Sequence, residues 1–187
     1  IIEIENEVLI MLVIIMAGGK GTRISTIRYD IPKPMIPLNG KPVLQYQLEF
    51  FKKNGYKDFI IVTGYMGDKI QDYFKDGENL GINIRYFHET IPLGTAGALK
   101  YLQNFIKDDF LLVNGDIIFD INLESFIRFH KKKEALVSII THPNSHPYDS
   151  SLILKNKEDC VIKWLVKEDN RDYIYGNRVN AGIHLLS

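Results

Sequence analysis

The chain has 187 residues, 45% of them hydrophobic, with 23 basic and 23 acidic side chains and therefore no formal net charge. This composition suits one substantial globular core and excludes a disordered or low-complexity chain; the charge balance supplies no whole-molecule field toward nucleic acid or an anionic membrane, so any anion must be bound locally. The single cysteine, Cys160, excludes an internal disulfide framework and reads as a strand residue, and its isolation fits a reducing cytoplasm.

Residues 1–9 alternate like an exposed strand and do not begin with methionine, so they read as an upstream extension of a single domain spanning 1–187. The apolar run Ile10 to Met16 is far shorter than the roughly 20 residues a bilayer requires. It is followed by Ala17-Gly18-Gly19 instead of a signal-peptide pattern, and so predicts a buried strand. Pro32, Pro34 and Pro37 then preclude a helix across a Pro-rich segment, whereas Pro42 suits the first position of a helix carrying Leu44, Leu48 and Phe51 on one face and stopped by Asn54-Gly55.

From there apolar strands and amphipathic helices alternate. Strands are predicted at Phe59 to Val62, Ile82 to Phe87, Phe110 to Val113 and Ala135 to Thr141. Helices are predicted between them, one with Ile70, Tyr73 and Phe74 on a face, one through Leu99, Leu102 and Ile106, and one from Leu123 to His130. The basic run Lys131 to Lys133 suits the end of that last helix, where cations complement the dipole. Such alternation predicts a largely parallel sheet with helices on both faces. Beyond about Ser151 the pattern turns β-rich, with short runs at Leu152 to Leu154, Val161 to Val166 and Val179 to Leu185.

The segment Ala17-Gly18-Gly19-Lys20-Gly21-Thr22-Arg23 follows the first strand, where α/β sheets place ligand loops. It lacks the Walker spacing and has no third glycine for a dinucleotide fingerprint, so the glycines alone are a weak signal. Charge strengthens it. Lys20, Arg23, Arg28, Lys33 and Lys41 stand against the one acid Asp30, a patch sized for polyphosphate. The five histidines show no nucleophilic or ligand constellation; His142 and His146 are separated by helix-breaking prolines, and Trp164 with Tyr173 and Tyr175 reads as packing.

Five ordered motifs then resemble the sugar-1-phosphate nucleotidyltransferase family. They are Met16-Ala-Gly-Gly-Lys-Gly-Thr-Arg23, Ile31-Pro-Lys-Pro-Met-Ile-Pro37 with Gly40-Lys-Pro42, Pro92-Leu-Gly-Thr-Ala-Gly-Ala98, Asn114-Gly-Asp116 and Asn180-Ala-Gly182. Pro92-Leu-Gly-Thr-Ala-Gly is similar to the mannose-1-phosphate guanylyltransferase type, and Ser145-His-Pro-Tyr-Asp-Ser150 resembles segments of enzymes acting on heptose or mannose 1-phosphate. The resemblance implies an α/β fold, a Rossmann-like mixed, mostly parallel sheet with a β-rich sugar-binding half. It implies an enzyme that joins a nucleoside triphosphate to a sugar 1-phosphate and releases pyrophosphate.

By the same resemblance Gly18, Gly19, Gly21 and Thr22 would cradle the triphosphate, Arg23 and Lys33 would neutralise phosphate charge, and Asp116 would hold Mg2+. Glu89 and Gly94 would lie against the base, and because a carboxylate can accept from both N–H groups of guanine, the triphosphate expected is GTP. Lys167, Asn180 and Gly182 would meet the sugar phosphate, although Val166 and Glu168 replace the usual glutamate and proline around Lys167, leaving Tyr148, Asp149 and Ser150 as substitutes. Family members carry a second metal-binding aspartate beyond Asn-Ala-Gly, so the chain is expected to be truncated at its C-terminus. Three alternatives stay open: a catalytically weak nucleotide-binding or regulatory module, another base within the family, and homo-oligomerisation. Nucleic acid and membrane are not expected as partners.

Overall fold

The structure is a computed structural model that describes residues 11–19, 30–91, 93–94, 96–144, 150–166, 169, 171 and 176–187. The first strand, β1 (Leu12–Met16), carries three consecutive fully buried residues, Val13, Ile14 and Ile15. A strand with no solvent face needs cover on both sides, which is what a parallel sheet wrapped in helices supplies.

After β1, Lys33–Met35 form one 3-10 turn inside the Pro-rich segment. The expectation of no helix there is corrected: the turn's donors are the amides of Met35 and Ile36, so its prolines, which lack N–H, cost it nothing. A two-residue hairpin, β2 (Pro37–Leu38) and β3 (Lys41–Pro42), leads into α1 (Val43–Lys53). Pro42 therefore precedes the helix instead of opening it. Next come β4 (Asp58–Thr63), α2 (Gly67–Phe74), β5 (Asn83–His88) and α3 (Gly97–Leu102). The last of these helices stops before Ile106, which turns back to the Leu102 carbonyl.

The chain continues through β6 (Phe110–Asn114), α4 (Leu123–Lys133) and β7 (Val137–Pro143). The strand expected from Ala135 begins two residues later, because Glu134 adopts a left-handed conformation (φ 46°) and the Ala135 amide caps the helix through the His130 carbonyl. The final elements are β8 (Leu152–Lys155), β9 (Val161–Leu165) and β10 (Arg178–Leu186). Cys160 lies in the turn before β9, exposed, with its amide on Asn156 Oδ1, and is not a strand residue. Trp164 is 45% exposed and so is not a core residue either.

Six strands form one sheet in the order β5-β4-β1-β6-β10-β7, and β8 and β9 form a separate hairpin. The four strands β5, β4, β1 and β6 are mutually parallel, whereas β10 is antiparallel to both neighbours. This is the mixed, mostly parallel sheet expected. One face, with Val13, Ile15, Phe59, Ile61, Leu111 and Val113, packs against α1, α2 and α4 through Leu48, Phe51, Ile70 and Phe126. The other, with Ile14, Ile60, Val62 and Leu112, packs against α3 through Ala98 and Leu102. Among the described residues no helix is long and apolar enough to cross a membrane.

Phe51 is the hub of the larger face. It is fully buried, and its ring meets Phe50, Tyr56, Phe59 and Phe119 at centroid distances of 5.5, 5.9, 6.3 and 5.7 Å. Phe119 belongs to the segment that leaves β6, so the cluster seats that segment on α1. Phe51→Ala is expected to lower stability by about 3–5 kcal/mol, measured as the shift in a urea unfolding curve.

Candidate active site

The carboxyl ends of β5, β4, β1 and β6 lie along one edge of the sheet, the edge where open α/β sheets bind ligands. The loop leaving β1 is stitched to its neighbours. The Ala17 amide donates to the Val62 carbonyl (2.8 Å), the Tyr65 amide to the Gly18 carbonyl (3.4 Å), and the Gly115 amide to the Met16 carbonyl (2.9 Å). These contacts leave no room for side chains. A Cβ at Gly64 would lie 2.7 Å from the Gly18 carbonyl oxygen, and one at Gly115 would lie 3.0 Å from the Met16 carbonyl oxygen. Gly64 follows a strand in an unremarkable Thr-Gly-Tyr string that carries no signal of its own.

Gly18 and Gly19 begin this loop, and among the described residues nothing stands within 4 Å of a Cβ built on Gly19. Glu89 follows β5, its amide bonded to the Thr63 carbonyl, and its Oε2 would lie 2.7 Å from a Cβ on Gly18. Its Oε1 is buried without a hydrogen-bond partner among the described residues. Burial pushes the Glu89 carboxyl above the ordinary carboxylate range, against the Leu93 amide and nearby His88, which favour the charged form. Gly94 occupies the left-handed region (φ 75°) in the turn before α3, a conformation glycine adopts without strain.

Asp116 leaves β6 through Asn114-Gly115, and Lys33 reaches it from the 3-10 turn, Nζ to Oδ2 3.7 Å. Their side chains are 23% and 42% exposed, so the pair is accessible from solvent and open to exchange partners with a charged ligand. Lys41, counted in the cationic patch, instead binds Glu49 at 2.6 Å and stands over the Tyr46 ring.

Asn180 and Gly182 lie in the first half of β10, beside the end of β6. The pairing of β10 with β7 slips between Asn180 and His184, and Gly182 takes φ 80° there, with a Cβ position only 2.6 Å from Asn114 Nδ2. A polar relay holds the irregularity. The Leu112 carbonyl can only accept, so His184 Nδ1 (3.2 Å) carries its hydrogen; Nε2 then accepts from Asn180 Nδ2 (2.9 Å), and Asn180 Oδ1 accepts from the Gly182 amide (2.8 Å). His184 was not singled out from sequence, where a histidine in an apolar strand carries no signal.

Of the residues expected at a site, the structure thus brings Gly18, Gly19, Lys33, Glu89, Gly94, Asp116, Asn180 and Gly182 to one edge of the sheet. Gly21, Thr22, Arg23 and Lys167, with Tyr148 and Asp149, lie outside the described residues. The Ser150 carbonyl accepts from Arg171 at 2.6 Å. Among the described residues no group of three or more His, Cys, Asp or Glu stands close enough to hold a metal ion. A single exposed carboxylate still fits Mg2+, which keeps several waters and takes its remaining ligands from substrate phosphates.

A doubly wound sheet with a glycine loop, a lysine and a carboxylate gathered at the strand ends defines a phosphate-handling α/β protein. The family described as nucleotidyl transferase matches residues 12–182. The D-glycero-alpha-D-manno-heptose 1-phosphate guanylyltransferase of Campylobacter jejuni is 37% identical over 95% of this chain and 76% of its own length. The mannose-1-phosphate guanyltransferase of Yarrowia lipolytica is 33% identical over 93% of this chain, which spans only 48% of that relative. The UTP–glucose-1-phosphate uridylyltransferase of Synechocystis is 36% identical over 94% of this chain and 49% of its own length. Among solved structures, HddC of Yersinia pseudotuberculosis complexed with GMP-PN superposes with a TM-score of 0.77 at 27% identity, over 95% of this chain and 76% of that one. The chain belongs to the sugar-1-phosphate nucleotidyltransferases of the nucleotidyl transferase family.

Gly64→Ala would force the Gly18 carbonyl to move. It is expected to cost about 1–3 kcal/mol in urea unfolding and to weaken nucleotide binding measured by calorimetric titration. A pH effect follows from the relay. Burial lowers the His184 pKa below its ordinary 6.5, against the opposing pull of the Leu112 carbonyl. The neutral ring's contribution to stability is therefore complete above that ordinary value and is lost as pH falls through the lower folded one. Unfolding midpoints taken from about pH 8 to pH 5 should decline in the wild type and flatten in His184→Gln.

Proposed function

We propose that this protein transfers a guanylyl group from GTP to the 1-phosphate of mannose or a manno-configured heptose, giving a nucleotide sugar and pyrophosphate. The observation that carries this reading is the Lys33–Asp116 pair, 3.7 Å apart at the mouth of the glycine loop. In the reaction a sugar-phosphate oxygen bonds to the α-phosphorus while the bond from that phosphorus to the bridging oxygen breaks, and its electrons leave with pyrophosphate. No covalent role falls to the protein, so its work is alignment and the stabilisation of developing charge.

The backbone of Gly18, Gly19 and Gly21, with the Thr22 hydroxyl, cradles the triphosphate, and Arg23 and Lys33 neutralise the oxygens around the reacting phosphorus. Asp116 would hold Mg2+, which would shield the phosphate charges when bound. The Lys33 ammonium, 3.7 Å from Asp116 and partly exposed, is placed to turn to the phosphates. Glu89 receives the guanine: its buried, unpartnered Oε1 and its Oε2 match two adjacent N–H donors, and those donors would favour the ionised form that burial disfavours. Gly94 lets the chain pass close to the base. Asn180, Gly182 and Lys167 take the sugar phosphate.

The names of the Campylobacter and Yarrowia relatives and the GMP-PN complex of the Yersinia protein support guanine over other bases and a manno-type sugar. These substrates and the lone thiol Cys160 support a cytoplasmic setting. The test is pyrophosphate release with Mg2+, each of the four triphosphates, and mannose, glucose and heptose 1-phosphates. GTP with a manno-type acceptor should be preferred; saturable GTP binding with no release would remove the transferase reading. Lys33→Ala should depress kcat by about 100-fold or more, the scale of losing one preorganised charge partner, with unfolding unchanged.

A further inference from the structure

Gln47 lies on the inner face of α1 and is 2% exposed. Its Nε2 donates to two carbonyls, Asn114 at 2.9 Å and Ile117 at 2.6 Å. Those carbonyls bracket Gly115-Asp116. Both can only accept, so the amide nitrogen must face them and the assignment of the amide is not free. Oε1 consequently points away and is buried with no partner among the described residues.

A core position needs only volume, and leucine or methionine would fill this one without an orphaned acceptor. Both hydrogens of the amide are instead committed to one turn, the turn that presents Asp116. Three residues beyond Asp116, Phe119 packs on Phe50 and Phe51 of the same helix, at centroid distances of 5.0 and 5.7 Å. On its other side the Gly115 amide is tied to the Met16 carbonyl. The turn is thus held from below at each end while its carboxylate stays 42% exposed toward Lys33.

We propose that Gln47 is a positioning residue that sets the Asp116 carboxylate for a divalent cation carried with the triphosphate. The inference rests on the reading of Asp116 given under Proposed function. Gln47 itself touches neither substrate nor cation. It acts by fixing the backbone on both sides of Asp116, in the way that outer hydrogen bonds orient ligating carboxylates elsewhere.

The test compares Gln47→Met, which keeps length and volume but removes both donors, with Asp116→Asn and the wild type. Mn2+ binding in the presence of GTP is read by electron paramagnetic resonance. The Mg2+ concentration giving half-maximal pyrophosphate release is measured alongside, and urea unfolding reports folding. Gln47→Met should fold, weaken Mn2+ about 10- to 100-fold and raise the Mg2+ requirement in proportion. It should leave the GTP KM at saturating Mg2+ within about threefold, since the backbone of the glycine loop is untouched. If Gln47→Met does not fold, Gln47→Glu replaces it: an ionised carboxylate facing two carbonyls should raise the Mg2+ requirement increasingly with pH, relative to wild type. Mn2+ affinity and Mg2+ requirement within twofold of wild type in the folded variant, while Asp116→Asn loses both, overturns this inference alone. Asp116→Asn with unchanged Mn2+ affinity overturns the metal role of Asp116, and this inference with it.

Discussion

The hydrogen bond from the Gly115 amide to the Met16 carbonyl joins the two loops on which everything at the site depends. It exists because β1 and β6 are parallel neighbours in register, Met16 opposite Asn114, so both strands end at the same height. A side chain at residue 115 would crowd that carbonyl, which makes Asn-Gly-Asp a packing requirement before it is a chemical one. The acidic turn and the glycine loop therefore cannot move independently. Preorganised charge is effective because it is not free to rearrange during reaction, and here the backbone supplies that rigidity.

Burial on both faces of β1 makes this arrangement possible. With Val13, Ile14 and Ile15 fully buried, the strand has no freedom to slip in register, since a one-residue shift would exchange its two apolar faces for different partners. Helix α1 adds a second constraint. Through Phe51 it anchors the sheet, and through Gln47 and the ring of Phe50 it reaches the segment beyond β6. One helix thus connects core stability to the placement of a carboxylate at the surface.

Much of this was legible in the residues. The apolar runs that became β1, β4 and β6 were visible because interior parallel strands are apolar on both faces, β5 by its β-favouring Ile, Tyr and Phe, and the helices between them showed their buried stripe at helical spacing. The glycine loop and Asn-Gly-Asp stood out by composition. What was hidden depended on partners distant in sequence. Lys41 looked like part of a cationic patch until the fold placed Glu49 beside it. Gly64 and His184 looked ordinary because their reasons lie in the Gly18 carbonyl, in the loop after β1, and the Leu112 carbonyl, on β6. Gln47 was masked by helix amphipathicity, which records that a position is buried but not which backbone groups its amide meets. The start of β7 was misplaced because a helix cap, not hydrophobicity, decides where Ala135 goes.

The antiparallel insertion of β10 affects the order of assembly. Because β7 is paired only with β10 in the sheet, it cannot dock until the last strand arrives, although it leaves the synthesising ribosome some 35 residues earlier. Before that moment β6 is an open edge, and Asn114 has no Gly182 against it. The two parts of the sheet are thus separated in time as well as along the chain: β1, β4, β5 and β6 have all been synthesised by residue 114, while β10 and β7 wait for long-range closure. A nascent chain stalled between those events would present a sticky strand edge to chaperones.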